Sequence, residues 1–120
     1  MPKIRVKVTT ISNGQENNYE INALLKKDKI IYNEPDPKKT KVIFDYSNNL
    51  LIRKNKDLEM VYEFNLEKET IGSIEVKSLK RYLNLDIATK KYEVLENNLD
   101  LIFLVEEEEI GYKLEVIKWV

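Results

Sequence analysis

Two residue types that carry much of protein chemistry are missing from this chain, which has no His and no Cys. That removes the imidazole base, the thiolate nucleophile, the disulfide and the thiolate metal site together. Any reaction would have to run on carboxylates, Lys, Tyr or hydroxyls. Glu59 and Glu63 alternate with apolar neighbours, which places them on the wet face of a strand, where carboxyl pKa values stay ordinary. Asp86 offers nothing better, and no catalytic residue, metal ligand or cofactor is expected. The run Glu106-Glu107-Glu108-Glu109 has the charge for calcium. It lacks the spaced ligands and the Gly of a calcium loop, and successive strand residues point to opposite faces. A solvated turn is the better reading.

Two arginines are more informative. Arg53 shares alternation parity with Leu51, and Arg81 shares it with Leu83, Leu85 and Ile87, so both are expected to face the apolar side near a strand end. A buried guanidinium needs an anionic partner. A carboxylate or phosphate ligand would suit its planar fork; a nearby Glu, or escape of the head to the rim, is the plainer solution.

Placing these residues requires the strands. Ile4, Val6 and Val8 alternate with charged or hydroxyl residues up to Asn13-Gly14, a pair suited to the positive φ of a tight hairpin. Tyr19, Ile21, Ala23 and Leu25 then share one face, and Lys27-Asp28 turns the chain into a short strand, Lys29 to Asn33. Pro35 and Pro37 mark a loop. Strands resume over Lys41 to Tyr46 and Leu50 to Arg53, separated by Ser47-Asn48-Asn49. Leu58 to Leu66 is the clearest alternation, with Leu58, Met60, Tyr62, Phe64 and Leu66 inward. Thr70 to Ser78 follows. From Leu79 to Glu96 strand is favoured, although Leu79, Tyr82 and Leu83 also suit a helical turn. Leu99, Leu101, Phe103 and Val105 face inward, and the chain closes on Tyr112, Leu114 and Val116.

This pattern predicts an all-β domain over residues 1–120, an antiparallel up-and-down meander of about eight to ten strands closed into a barrel, which hides the edges that invite aggregation. The composition agrees: 42% hydrophobic and 34% charged residues in 120 are enough for one core and a solvated shell. The net charge of −1, from 20 basic and 21 acidic residues, disfavours nucleic acid. Short basic clusters at Lys26-Lys27-Lys29 and Lys38-Lys39-Lys41, with Tyr32 near enough to stack on a base, are the weak argument for it. No apolar run marks a leader or a membrane span, so the cytoplasm is the default expectation.

Several segments carry a family likeness: Ile4-Arg5-Val6-Lys7-Val8-Thr9, Leu51-Ile52-Arg53 before a turn, Met60 to Phe64, Thr70-Ile71-Gly72 with Ile74, Val76 and Ser78, and Leu114-Glu115-Val116. In these the chain resembles the YwiB-like family of uncharacterised bacterial proteins. The resemblance implies a calycin-like barrel of the lipocalin and fatty-acid-binding-protein type, with no established activity. Asn55 stands where the resemblance implies Gly, a swap that Asn tolerates if the position is left-handed.

A barrel of about eight strands is either filled by side chains or holds one small ligand. The expected function is therefore non-catalytic binding of a small hydrophobic or amphipathic ligand, with Arg53, Tyr62, Phe64, Arg81 and Phe103 as ligand-binding residues. The alternative is a scaffold with a filled lumen and a protein partner, or a second copy of the chain. Such a partner would meet the strand that carries Ile117, Trp119 and Val120.

Overall fold

The computed structural model describes residues 3–119. Alternation becomes ten strands: β1 (Lys3–Ser12), β2 (Gln15–Lys26), β3 (Lys29–Asn33), β4 (Lys41–Asp45), β5 (Leu50–Lys54), β6 (Leu58–Glu63), β7 (Thr70–Val76), β8 (Arg81–Leu95), β9 (Asn98–Val105) and β10 (Glu108–Trp119). Each pairs antiparallel with the next, and β10 closes onto β1, with Val8 opposite Leu114. The up-and-down barrel expected from the sequence is the fold. No helix among the described residues is long and apolar enough to cross a membrane, which leaves strands out of account.

Ile4, Val6 and Val8 are buried and stand opposite Ala23, Ile21 and Tyr19 of β2. The inward parity of β1 and β2 is thus fixed by the same residues that fix their register. The β1–β2, β3–β4, β5–β6, β7–β8 and β9–β10 connections share one end of the barrel, called upper here. Asn13 and Gly14 take φ of 53° and 75°, the double left-handed turn that an Asn-Gly pair favours. Asn55 is not left-handed, contrary to expectation. Its Oδ1 instead accepts the N–H groups of Asp57 and Leu58 at 2.8 and 3.0 Å, closing the β5–β6 turn through its side chain.

Two bulges shift the alternation. Lys90 is the extra residue where β8 passes β9, so the inward set changes from Ile87 to Tyr92, from odd to even numbers. Ile117 does the same in β10 and brings Trp119 opposite Ile4 at the lower rim, 57% exposed. Val120 lies outside the described residues. Leu66 corrects the sequence reading: β6 ends at Glu63, and Leu66 is 56% exposed in the polar turn that follows. Leu79 belongs to a 3-10 turn (Lys77–Leu79), but Tyr82 and Leu83 are in β8, so the favoured strand reading holds from Arg81 and the helical turn is confined to the residues before it. Leu83, expected inside, is largely exposed.

The first half of the acidic run is the expected turn, and a strained one, with Glu106 and Glu107 at φ of 49° and 73°, while Glu108 and Glu109 open β10. Left-handed backbone costs a residue with a Cβ roughly 1–2 kcal/mol, and Gly escapes this. Glu106 has a compensating role, its Oε1 accepting the Asp86 N–H at 2.9 Å. The Glu107 side chain makes no hydrogen bond among the described residues. Glu107→Gly is therefore expected to raise the thermal midpoint by about 2–5 °C, as calorimetry would show.

Candidate functional site

The barrel axis is occupied by rings. Phe64 packs on Phe103 at a centroid distance of 5.0 Å and on Tyr92 at 6.1 Å; Phe44 meets Tyr92 at 6.4 Å, and Phe103 meets Tyr62 at 5.8 Å. Phe44, Phe64 and Phe103 are fully buried. Room for this row depends on Gly72, at the inward parity of β7. A Cβ there would lie 2.7 Å from Ile87 Cδ1 and 2.8 Å from Tyr62 Cδ1. Gly72→Ala should cost about 1–3 kcal/mol through overpacking, read as a lower urea midpoint, and should displace the Tyr62 ring.

Above the aromatic row lies a polar cluster. Arg53, at the upper end of β5, is inward as the sequence predicts, and its Nη2 donates to Glu34 Oε1 at 2.6 Å. Arg53 Nε is buried and has no hydrogen-bond partner among the described residues. Burial works against the guanidinium charge, but the bond to Glu34 and its negative charge outweigh this and hold the proton more tightly than usual. Tyr32 of β3 and Tyr112 of β10, both buried, share a hydrogen bond between their hydroxyls. The Tyr19 ring meets Tyr32 edge-on at 6.4 Å. Its hydroxyl is buried close enough to the Tyr32 hydroxyl to feel it, without completing a hydrogen bond of normal geometry among the described residues. Burial raises the Tyr19 phenol to about 12 and pushes Tyr32 and Tyr112 up as well. All three are neutral donors at ordinary pH.

The mouth over this cluster is apolar. Arg53, Met60, Ile74 and Leu83 stand in one register line across β5, β6, β7 and β8. Met60, Ile74 and Leu85 are half-buried there, and the Tyr62 hydroxyl donates to Met60 Sδ at 3.5 Å. The wall is incomplete in two places. β2 pairs with β3 only over Leu24–Lys26, leaving a groove of about 420 Å³ beside Ala23, Ile31 and Tyr32. β8 pairs with β9 only from Ile87 onward, so the β7–β8 hairpin rises above its neighbour.

Four of the five residues singled out from sequence fall together: Arg53 at the mouth, then Tyr62, Phe103 and Phe64 in consecutive ring contacts. Arg81 does not join them. It has the inward parity expected of it, opposite Val76, but sits exposed at the hairpin tip, two register lines above Leu83. Tyr32 corrects another expectation, since a ring this deeply buried cannot stack on a base. Its role in the cluster, with Tyr19, Tyr112 and Glu34, was missed. The tyrosines left a usable signal, because inward parity obliges their hydroxyls to find partners inside. Glu34 left none, being in an aperiodic loop.

Fold and interior together define a closed ten-stranded antiparallel barrel with an aromatic core and a polar cluster beneath one mouth. Among solved structures the chain is similar to the crystal structure of the ywiB protein from Bacillus subtilis, at 14% identity and a TM-score of 0.46, over 98% of this chain and 92% of that one. No family model matches the chain, and no curated protein does.

Proposed function

We propose that this protein is a non-catalytic binding barrel for a small amphipathic molecule with an anionic head, taken up at the upper mouth. The supporting observation is the pair of unspent polar groups there: Arg53 Nε and the Tyr19 hydroxyl are buried without hydrogen-bond partners among the described residues, a costly state that a ligand oxygen would relieve. Met60, Ile74, Leu83 and Leu85 supply apolar surface for the rest of the molecule. Glu34 already neutralises Nη2, so the head competes with it for the guanidinium.

Titration calorimetry with medium-chain fatty acids and small phosphates tests this. Arg53→Ala should weaken binding about tenfold or more, and Glu34→Gln should strengthen it by removing the competing carboxylate. No heat from wild type or either variant would end the proposal. A second reading, a scaffold with a filled lumen, draws support from the packed ring row and from Ile117 and Trp119, both exposed near the lower rim. A stable homodimer lost on Trp119→Ser would favour it.

A further inference from the structure

Three upper tips are stitched into one ledge. Lys38 Nζ of the β3–β4 loop meets Asp57 Oδ2 of the β5–β6 turn at 2.6 Å, and Asn55 Nδ2 donates to Thr40 Oγ1 at 3.1 Å. Lys77 continues it to the β7–β8 tip, with Nζ donating to the Asn55 carbonyl at 2.9 Å and its backbone N–H to the Asp57 carbonyl at 2.9 Å. The ledge carries Lys38, Lys39, Lys54, Lys56, Lys77 and Lys80, with Arg81 beside them. Three of its carboxylates are engaged, Glu34 by Arg53, Asp57 by Lys38, and Asp36 by the Thr40 N–H and hydroxyl, while Glu59 stands opposite Lys54 and Glu75 accepts the Tyr82 hydroxyl at 3.0 Å. Among the described residues no carboxylate pairs with Lys39, Lys54, Lys56, Lys80 or Arg81.

The chain as a whole has a net charge of −1, so a cationic ledge leaves the remainder acidic. Glu106 to Glu109, spanning the β9–β10 turn and the start of β10 at the same upper end, are part of that remainder, so the basic charge is confined to the β3–β8 side of the mouth. A local basic face of this kind can still be turned toward an anionic surface.

At the crown of the ledge stands an apolar residue. Leu79 is 64% exposed between Lys77 and Lys80, and Tyr82, 70% exposed, follows it. A phosphodiester backbone has no use for an exposed leucine, and the exposed Tyr82 ring donates its hydroxyl to Glu75 Oε2 at 3.0 Å, which sets a carboxylate where a stacked strand would run. A bilayer interface uses both parts, the lysines against lipid phosphates and the leucine among the upper acyl carbons. We propose that this ledge docks the protein on an anionic lipid surface, with Leu79 as the inserted residue. The proposal stands whether or not the lumen takes a ligand.

Sedimentation with phosphatidylglycerol–phosphatidylcholine vesicles, against pure phosphatidylcholine, tests it. Binding is expected on the anionic vesicles alone. It should fall as salt rises from 0.01 to 0.15 M, where the screening length drops from about 30 to about 8 Å. Each lysine near such a surface is worth about fivefold in affinity, so Lys56→Gln with Lys80→Gln should weaken binding about 30-fold. Leu79→Ser should weaken it further. Lys113→Gln with Lys118→Gln, on exposed positions of β10, should change it little. Absence of binding, equal binding to neutral vesicles, equal loss in the β10 pair, or tighter binding to a single-stranded oligonucleotide would each overturn the proposal.

Discussion

Truncation of Phe64 to alanine should cost about 3–5 kcal/mol, a large part of the 5–15 kcal/mol that holds a domain of this size together. The ring is 1% exposed and packs on Phe103 and Tyr92, while its backbone N–H donates to the Asn49 carbonyl at 2.9 Å. The substitution spares that hydrogen bond and empties the middle of the barrel. Urea unfolding should show a lower midpoint with an unchanged slope, and the vacated space should take up benzene, as dry apolar cavities do. A loss below about 1 kcal/mol would mean that the rings yield easily. Ligands could then reach the depth of the lumen, and the binding site would extend below Arg53.

That packed row was legible in the sequence because three of its members lie in uninterrupted alternation. Tyr62 and Phe64 follow Leu58 and Met60 at period two, and Phe103 follows Leu99 and Leu101. Inward parity is a local property, so it survives translation into three dimensions wherever the strand is regular. Tyr92 was not legible, because the bulge at Lys90 reverses parity and is invisible to a count of alternating residues. Leu66 was misplaced for a related reason, since the hydrophobic period ran on beyond the end of β6.

Arg53 and Arg81 show a further limit. Both have the parity assigned to them, yet one is enclosed and the other exposed, because β7 and β8 extend past the wall that would have covered Arg81. Parity decides the face of a sheet. Shear and strand length decide whether that face is inside anything. The Arg53–Glu34 pair, joining a loop to a strand 19 positions away, rests on tertiary closure and has no periodic signature at all. The cationic ledge was divided in the sequence into unremarkable clusters, and only the bonds among Lys38, Asp57, Asn55 and Lys77 make it one surface.

Alkali should unfold this protein steeply. Burial raises the phenols of Tyr19 and Tyr92 to about 12 and pushes Tyr32 and Tyr112 above their ordinary range. In the unfolded chain each ionises near pH 10. Above that pH the unfolded state has lost protons that the folded state keeps, so the stability these groups contribute, fully present below pH 10, drains away as pH rises toward the folded values. Each phenol adds a slope of about 1.4 kcal/mol per pH unit, and the four together about 5 kcal/mol per unit. A domain of ordinary stability should then unfold before pH 12, with tyrosinate absorbance and loss of the β-sheet circular dichroism rising together. Tyr112→Phe removes one of the four groups and should reduce the slope by about a quarter, although the Tyr32 hydroxyl it strands lowers stability at neutral pH. If all seven tyrosines ionised near pH 10 with the sheet intact, the polar cluster would be open to water. Nothing would then hold Arg53 Nε and the Tyr19 hydroxyl in want of a partner, and the case for a ligand at the mouth would fall with it.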